Sequence, residues 1–152
     1  MPYEWTCKKF NELTVAELYA LLKLRSEVFV VEQNCPYLDM DGKDLKAYHL
    51  MCRDGNELLA CTRLLPAGVS YPEGSIGRVA TAYPVRRTGL GRELMQRSID
   101  GCYQLFGRGP IRIGAQLYLK KFYESFNFVQ ASQVYLEDGI EHIEMILSTS
   151  EG

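Results

Sequence analysis

The spacing of hydrophobic and polar positions changes several times along the chain, and each change marks an element. Residues 3–10 mix aromatic and polar side chains and predict a short first strand, followed by a connection over 11–13. Thr14-Val15-Ala16-Glu17 has the form of a capping box, in which the Thr hydroxyl and the Glu carboxylate satisfy free amides at a helix start. Leu18, Leu21, Leu22 and Val28 keep one face of that helix apolar as far as about Phe29. The stretch 34–44, with Pro36, Gly42 and three aspartates, is expected to be a surface loop with at most a helical turn. Strand-like runs at 47–53 and 58–65 flank Asp54-Gly55-Asn56, residues that tolerate the positive φ of a tight hairpin. A second connection over 66–74 leads to a returning strand at 75–82.

From there the period lengthens. Leu90, Leu94, Ile99, Cys102 and Leu105 recur at helical spacing until Gly107, Gly109 and Pro110 stop the segment, and 111–115 is a short apolar strand. Strand, helix and strand in this order make a right-handed crossover between two parallel strands. Leu119, Phe122, Tyr123 and Phe126 form the stripe of another helix. Two strands, 128–135 and 142–147, joined across Asp138-Gly139, complete the pattern. The expectation is one α/β domain over residues 1–152 with a mixed sheet.

Composition narrows the function classes. The 152 residues carry 17 Lys and Arg against 19 Asp and Glu, a formal net charge of −2. That balance gives no footprint for nucleic acid, which needs clustered positive charge. No apolar run reaches the ~20 residues of a membrane span, and Glu4, Lys8 and Lys9 stand where a signal peptide would be apolar, so no membrane partner and a cytoplasmic location are expected. The five cysteines, Cys7, Cys35, Cys52, Cys61 and Cys102, never form Cys-x-x-Cys, which points to reduced core residues, with neither a disulfide framework nor a metal site.

The most informative segment is Arg86-Arg87-Thr88-Gly89-Leu90-Gly91, between a strand and a helix. Amides at a helix start lack internal partners and carry the positive end of the helix dipole, so they can hold a pyrophosphate. Gly89 and Gly91 keep Cβ atoms out of the way, and Arg86, Arg87 or Arg92 can add charge-assisted contacts. A Walker A loop is excluded because no Gly-Lys-Ser/Thr occurs, and a Rossmann fingerprint because Leu94 stands at its third glycine. Glycines that merely allow a tight turn into the helix are the structural alternative.

Arg-x-x-Gly-x-Gly in this position resembles the coenzyme A pyrophosphate loop of the GNAT N-acetyltransferase superfamily. A second block, Gln116-x-x-Leu119-x-x-Phe122-Tyr123-Glu124-Ser125-Phe126-Asn127-Phe128, resembles the superfamily's following segment. Residues 24–33, 41–45 and 138–145 are similar to the ElaA-like branch, so the resemblance spans nearly the whole chain. Asn127 replaces the usual Gly, Gln116 an Asn and Leu119 an Ala. The resemblance implies a GNAT-like fold: a central mixed, mostly antiparallel sheet whose parallel strands splay at a cofactor slot, flanked by about four helices. It implies acetyl-CoA as co-substrate without a metal. Val79, Ala80 and Thr81 on the cofactor strand, Arg86, Arg87, Thr88, Gly89, Leu90, Gly91 and Arg92 on the loop, and Gln116 are its expected contacts.

Acetyl transfer to an amine needs a base, a carbonyl-polarising donor and a proton for the departing thiolate. By resemblance Tyr123 supplies that proton, although its helical spacing equally suits a core aromatic. The amide of Val79 is the candidate for the carbonyl. Glu32 is the first candidate base and His142 the second; Asp39, Asp41 and His49 complete the set, each with a surface or strand-pairing role as its alternative. Cys35 is assigned no role. Tyr19, Tyr37, Tyr48 and Tyr118 are candidate pocket aromatics, and stretches 34–44 and 134–141 are expected to set specificity, the acidic first one leaning towards a cationic amine. The acceptor is expected to be an amine of a small molecule or peptide. A non-catalytic coenzyme A-binding module and a nucleotide-binding domain are the competing readings. A homodimer paired through the terminal strands is the one assembly considered.

Overall fold

The computed structural model describes residues 3–149. Strand β1 (Glu4–Lys9) precedes helix α1 (Val15–Arg25), which continues as a π-helical segment, Ser26–Glu32. Strands β2 (Tyr48–Asp54), β3 (Glu57–Leu65) and β4 (Ser75–Thr81) follow, then helix α2 (Leu90–Phe106), strand β5 (Ile111–Gln116), the short helix α3 (Lys120–Glu124), and strands β6 (Val129–Gln130), β7 (Tyr135–Glu137) and β8 (Ile140–Leu147). Two sheets result, ordered β1-β2-β3-β4 and β5-β8-β6, with β7 also on β8. Every ladder is antiparallel. The predicted parallel pair exists as a single bridge, Gly74 to Ile111, where the Arg112 amide donates to the Gly74 carbonyl at 2.9 Å. Beyond that bridge β4 and β5 separate.

Local chemistry explains most boundaries. The Thr14 hydroxyl accepts from the Glu17 amide at 3.0 Å, while the Glu17 carboxylate accepts from the Thr14 amide at 2.9 Å, the reciprocal cap expected of that sequence. Gly89, at φ 88°, turns the chain into α2, and Asn127, at φ 76°, closes the α3 region in the left-handed conformation that Asn tolerates. Inside α2, a Cβ on Gly101 would meet Leu64 Cδ1 at 3.0 Å, so this glycine lets the helix lie close on β3. The Thr62 and Ser98 hydroxyls, 2.8 Å apart, tie the same two elements together.

Four expectations change. The buried face of α1 is Glu17, Leu21, Leu24 and Arg25, with Val28 beyond, while Leu18 and Leu22 are half-buried. Leu105 of α2 is an exposed position, and Met95 and Ser98 fill the core instead. The strand expected at 128–135 is broken into β6 and β7, because the Ser132 hydroxyl accepts from the Glu144 amide and kinks the chain between them. Among the described residues there are three α-helices and the π-helical segment, the third α-helix much shorter than its apolar stripe suggests. None is long and apolar enough to cross a membrane.

The loop over 34–46 departs most from expectation, because its aspartates are tied inwards rather than left in solvent. Arg25, in α1, reaches Asp44 with Nη1 at 2.8 Å and Nη2 at 3.1 Å, and its Nε lies 2.9 Å from Asp39. Arg63, in β3, takes Asp41 at 2.6 Å and shares Asp44 at 3.1 Å. Arg78, in β4, takes Asp39 at 2.8 Å. Three cations and three carboxylates thus join α1, β3, β4 and the loop in one neutral cluster. These guanidinium groups hold the Asp41 and Asp44 carboxyls below the usual carboxylate range against the opposing effect of burial. Removing one partner of such a cluster strands buried charge. Asp44→Ala is therefore expected to lower unfolding free energy by about 3 kcal/mol, the low end for a broken buried pair because Arg25 and Arg63 each keep another carboxylate; a loss under about 1 kcal/mol in urea titration would refute this. Because the folded state holds these carboxyls below their unfolded values, their contribution is complete above about pH 5 and declines as pH falls through about 4 and lower. Thermal melts from pH 7 to pH 3 should show that fall, with a smaller one in Asp44→Ala.

Candidate active site

The separation of β4 from β5 opens a cleft of about 550 Å³. Its first wall is the outer edge of β4. That strand opposes β3 from Ser75 to Gly77 and again at Ala80 and Thr81, with Arg78 and Val79 together facing Thr62, a bulge in which Arg78 adopts φ 50°. A bulged residue loses its ladder partner and is re-aimed, and both Arg78 and Val79 line the cleft. The Ala80 side chain points the other way, into the core under α1. Unlike Val79 and Thr81, it does not line the cleft.

At the end of β4 the chain turns through the segment singled out in the sequence. The first amide bonded back within α2 is that of Glu93, to the Gly89 carbonyl at 3.2 Å, so the amides of Leu90, Gly91 and Arg92 precede the helical ladder. A Cβ at Gly91 would meet nothing within 4 Å, and Gly91 faces the cleft. Leu90 buries its side chain in the core, which fixes the helix start and leaves its amide as its available group. The arginines divide. Arg86 folds back, donating to the Thr81 carbonyl at 2.9 Å and to Glu32 at 2.6 Å. Arg92 lies over the Phe126 ring at 4.5 Å and donates to Ser125 Oγ at 2.8 Å. Arg87 is exposed in the turn, at φ 64°, and the Thr88 hydroxyl donates to the Val85 carbonyl.

Across the cleft, Tyr123 of α3 packs its ring edge-on against Phe122 and Phe128 and still reaches the cleft wall. Burial pushes its phenol up to about 12, so it is a proton-carrying group at neutral pH. It is thus both a core aromatic and a cleft residue. Gln116 reaches across to Gln33 in a long amide pair, 3.3 Å at the shorter contact, joining the end of β5 to the residue after the π-helical segment. His142 is nearly buried yet lines the same space, its Nδ1 at 2.7 Å from the Ile140 carbonyl.

The other candidate bases fall away. Asp39 borders the cleft, but Arg25 and Arg78 neutralise it, and Arg63 holds Asp41. His49 is buried in β2 on the Asp44 carbonyl at 3.0 Å, and burial lowers its pKa. With its aspartates paired to arginines, the loop no longer argues for a cationic amine. Of the tyrosines, Tyr37 and Tyr118 line the cleft, while Tyr19 is exposed on α1 and Tyr48 packs against Phe106. Both expected specificity loops meet there, for the Cys35 thiol lies 3.3 Å from the Asp138 carbonyl. The sequence reading passed over Gln33, Arg78 and Gly114. A lone arginine and a glycine inside apolar strands were the available signals for the last two.

Comparison with known proteins adds an independent line. The family model for the acetyltransferase (GNAT) domain matches residues 25–149. The Escherichia coli K12 protein ElaA is 42% identical over 144 residues, covering 93% of this chain and 94% of its own length. A UPF0039 protein of Schizosaccharomyces pombe is 42% identical over 95% of this chain and 96% of its own. The crystal structure of an acyl-CoA N-acyltransferase from Pseudomonas aeruginosa superposes with a TM-score of 0.91 at 44% identity, over 95% of this chain and 99% of that one.

Proposed function

This chain belongs to the GNAT acetyltransferase family and is an acyltransferase; from that premise we propose that it moves an acetyl group from acetyl-CoA directly to a primary amine of a small molecule or peptide. The observation that carries the reading is the cleft's construction, in which two strands part beside a helix start where Gly91 borders open space. The amides of Leu90, Gly91 and Arg92, with the helix dipole behind them, suit a pyrophosphate, and Arg87 is an exposed cation in the adjoining turn. The outer edge of β4 suits the amide groups of a pantetheine arm, which can pair with a strand edge much as another strand would. Gln116, locked to Gln33, is left to the acceptor end rather than to the cofactor.

The bound co-substrate supplies an activated thioester; the protein supplies the rest. The Val79 amide, at the bulge on the cleft wall, is the candidate donor to the carbonyl oxygen as negative charge develops there. Tyr123 donates its hydroxyl proton towards the departing sulfur. A cleft base, with Glu32 and His142 as the candidates, takes the proton that the amine gives up. Enclosure between α3, β5 and the 34–46 loop limits water, which would otherwise compete for the thioester.

Calorimetric titration with acetyl-CoA and coenzyme A tests the first half. Gly91→Glu, which sets bulk and negative charge against the diphosphate, should abolish binding, and retention of native affinity in that variant would defeat the placement. Tyr123→Phe should bind acetyl-CoA as the native chain does and transfer acetyl about 10²-fold more slowly, in a screen of amines that reads released thiol. Unchanged turnover would remove Tyr123 from the chemistry.

A further inference from the structure

Resting on the acyl-transfer reading above, we propose that His142 is the base that takes the amine proton, and that Tyr135 is the positioning residue that holds its ring. His142 pairs across β8 with Gln116 on one side and Tyr135 on the other, so the three side chains stand in a row on one face of the sheet. That face, which also carries Gly114 and Glu144, is turned away from the core filled by Ile113, Ile143 and Met145. The Tyr135 ring lies stacked on the imidazole, with centroids 5.9 Å apart and planes at 28°. Its hydroxyl is seated in turn. A Cβ at Gly114 would lie 3.1 Å from the Tyr135 hydroxyl and 3.0 Å from that of Tyr71, so both phenols converge in the notch that this glycine leaves. Burial, together with Glu137 and Glu144, raises the pKa of both, and they remain neutral hydroxyls.

The imidazole is also fixed from its other side. A carbonyl can only accept, so Nδ1, 2.7 Å from the Ile140 oxygen, carries the hydrogen and leaves the Nε2 lone pair unprotonated. Around the ring stand Glu137 at 4.0 Å from Nε2, Glu144 further along the same face, Asp138 in the adjoining turn and Glu141 just before His142 in β8. The opposite wall presents Glu32 with Arg86 and Asp39 with Arg78, each already an ion pair. Arg112 is taken up by Glu73 and Glu144. Glu32 gives its carboxylate to Arg86 at 2.6 Å, whereas the Nε2 of His142 is engaged by no cation among the described residues and lies 4.0 Å from the Glu137 carboxylate. In the transfer the amine nitrogen forms its bond to the acyl carbon as the carbon–sulfur bond breaks. The nitrogen's proton passes to Nε2, the sulfur gains the Tyr123 proton, and solvent then returns the two groups to their resting forms.

The chain has only two histidines, so side-chain nitrogen NMR of the full-length protein resolves both, with His49 reporting on the integrity of the fold. The expected result is a single Nδ1–H tautomer for His142, kept in Tyr135→Phe, which retains the stack, and lost to a tautomer mixture in Tyr135→Leu while the His49 signals persist. With the amine that releases most thiol in the screen, Tyr135→Leu should lower kcat about tenfold or more at unchanged KM for acetyl-CoA, Tyr135→Phe should recover most of it, and His142→Gln should remove the ascending limb of the pH profile. An Nε2–H tautomer in the native protein, an unchanged tautomer in Tyr135→Leu, or a pH limb that survives His142→Gln would overturn the inference. Acetyl-CoA affinity is measured on the same samples. Failure of the native chain to bind would defeat the acyl-transfer reading itself, while intact binding with any of those three results defeats only the role of His142 and Tyr135.

Discussion

Two strands that begin as a parallel pair and are then kept from pairing govern this molecule. After the Gly74–Ile111 bridge the edge of β4 receives no neighbour from β5, although the crossover through α2 delivers β5 to its side. An unpaired edge leaves amides and carbonyls unsatisfied and offers a template for unwanted pairing. Here it is bulged at Arg78 and Val79 and flanked across the cleft by α3 and the 34–46 loop, both of which blunt that liability. The exposed groups are also what a ligand with its own amides can use. Cost to stability and capacity to bind therefore share one origin.

The charge cluster fixes the loop that borders that edge. Arg78 sits in the bulge itself and is held by Asp39, which Arg25 holds from α1; Arg63 binds Asp41 and Asp44 from β3. The loop is thereby fastened to α1 and to two strands of the first sheet, and its position over the cleft follows from pairings made at its aspartates. An apolar cluster of similar volume could be as stable. It would not set the direction in which Arg78 leaves the strand, and that direction decides where the bulge faces. The bidentate contact from Arg25 to Asp44 has the geometric restriction such a task needs.

Features written within a few residues of one another were legible in the sequence: the Thr14–Glu17 box, the Gly89 turn, the Asp138-Gly139 hairpin and the order of strands and helices. Each depends on local backbone chemistry, so local spacing suffices to reveal it. The acidic loop was misread because its partners lie as far as 39 residues away in sequence, and nothing in a local window distinguishes a solvated aspartate from one that meets Arg63 or Arg78. The face of α1 was misplaced for the same reason, since Glu17 and Arg25 count as polar until Lys8, Asp39 and Asp44 are brought to them. At the candidate site the loop glycines and the Tyr123 stripe were readable. The row formed by Gln116, His142 and Tyr135 was not, because it exists only after three strands have found their register.

That register also places Tyr123 and His142 in different surroundings. Tyr123 belongs to the packed side of the second sheet, where hydrocarbon surrounds its ring and raises its pKa. His142 belongs to the opposite, polar side, among carboxylates and hydroxyls. A single strand, β8, separates these environments, sending Ile143, Met145 and Leu147 into the core and His142 and Glu144 to the other face. A slip of one residue would exchange the two sets, setting an imidazole where Ile143 now sits and a carboxylate where Met145 does. Pairing with β5 from Ile111 to Gln116 on one edge, and with β6 and β7 on the other, makes that slip costly in ladder bonds as well as in burial. The kink at Ser132 is compatible with this, because it interrupts the outer strand and leaves β8 itself continuous.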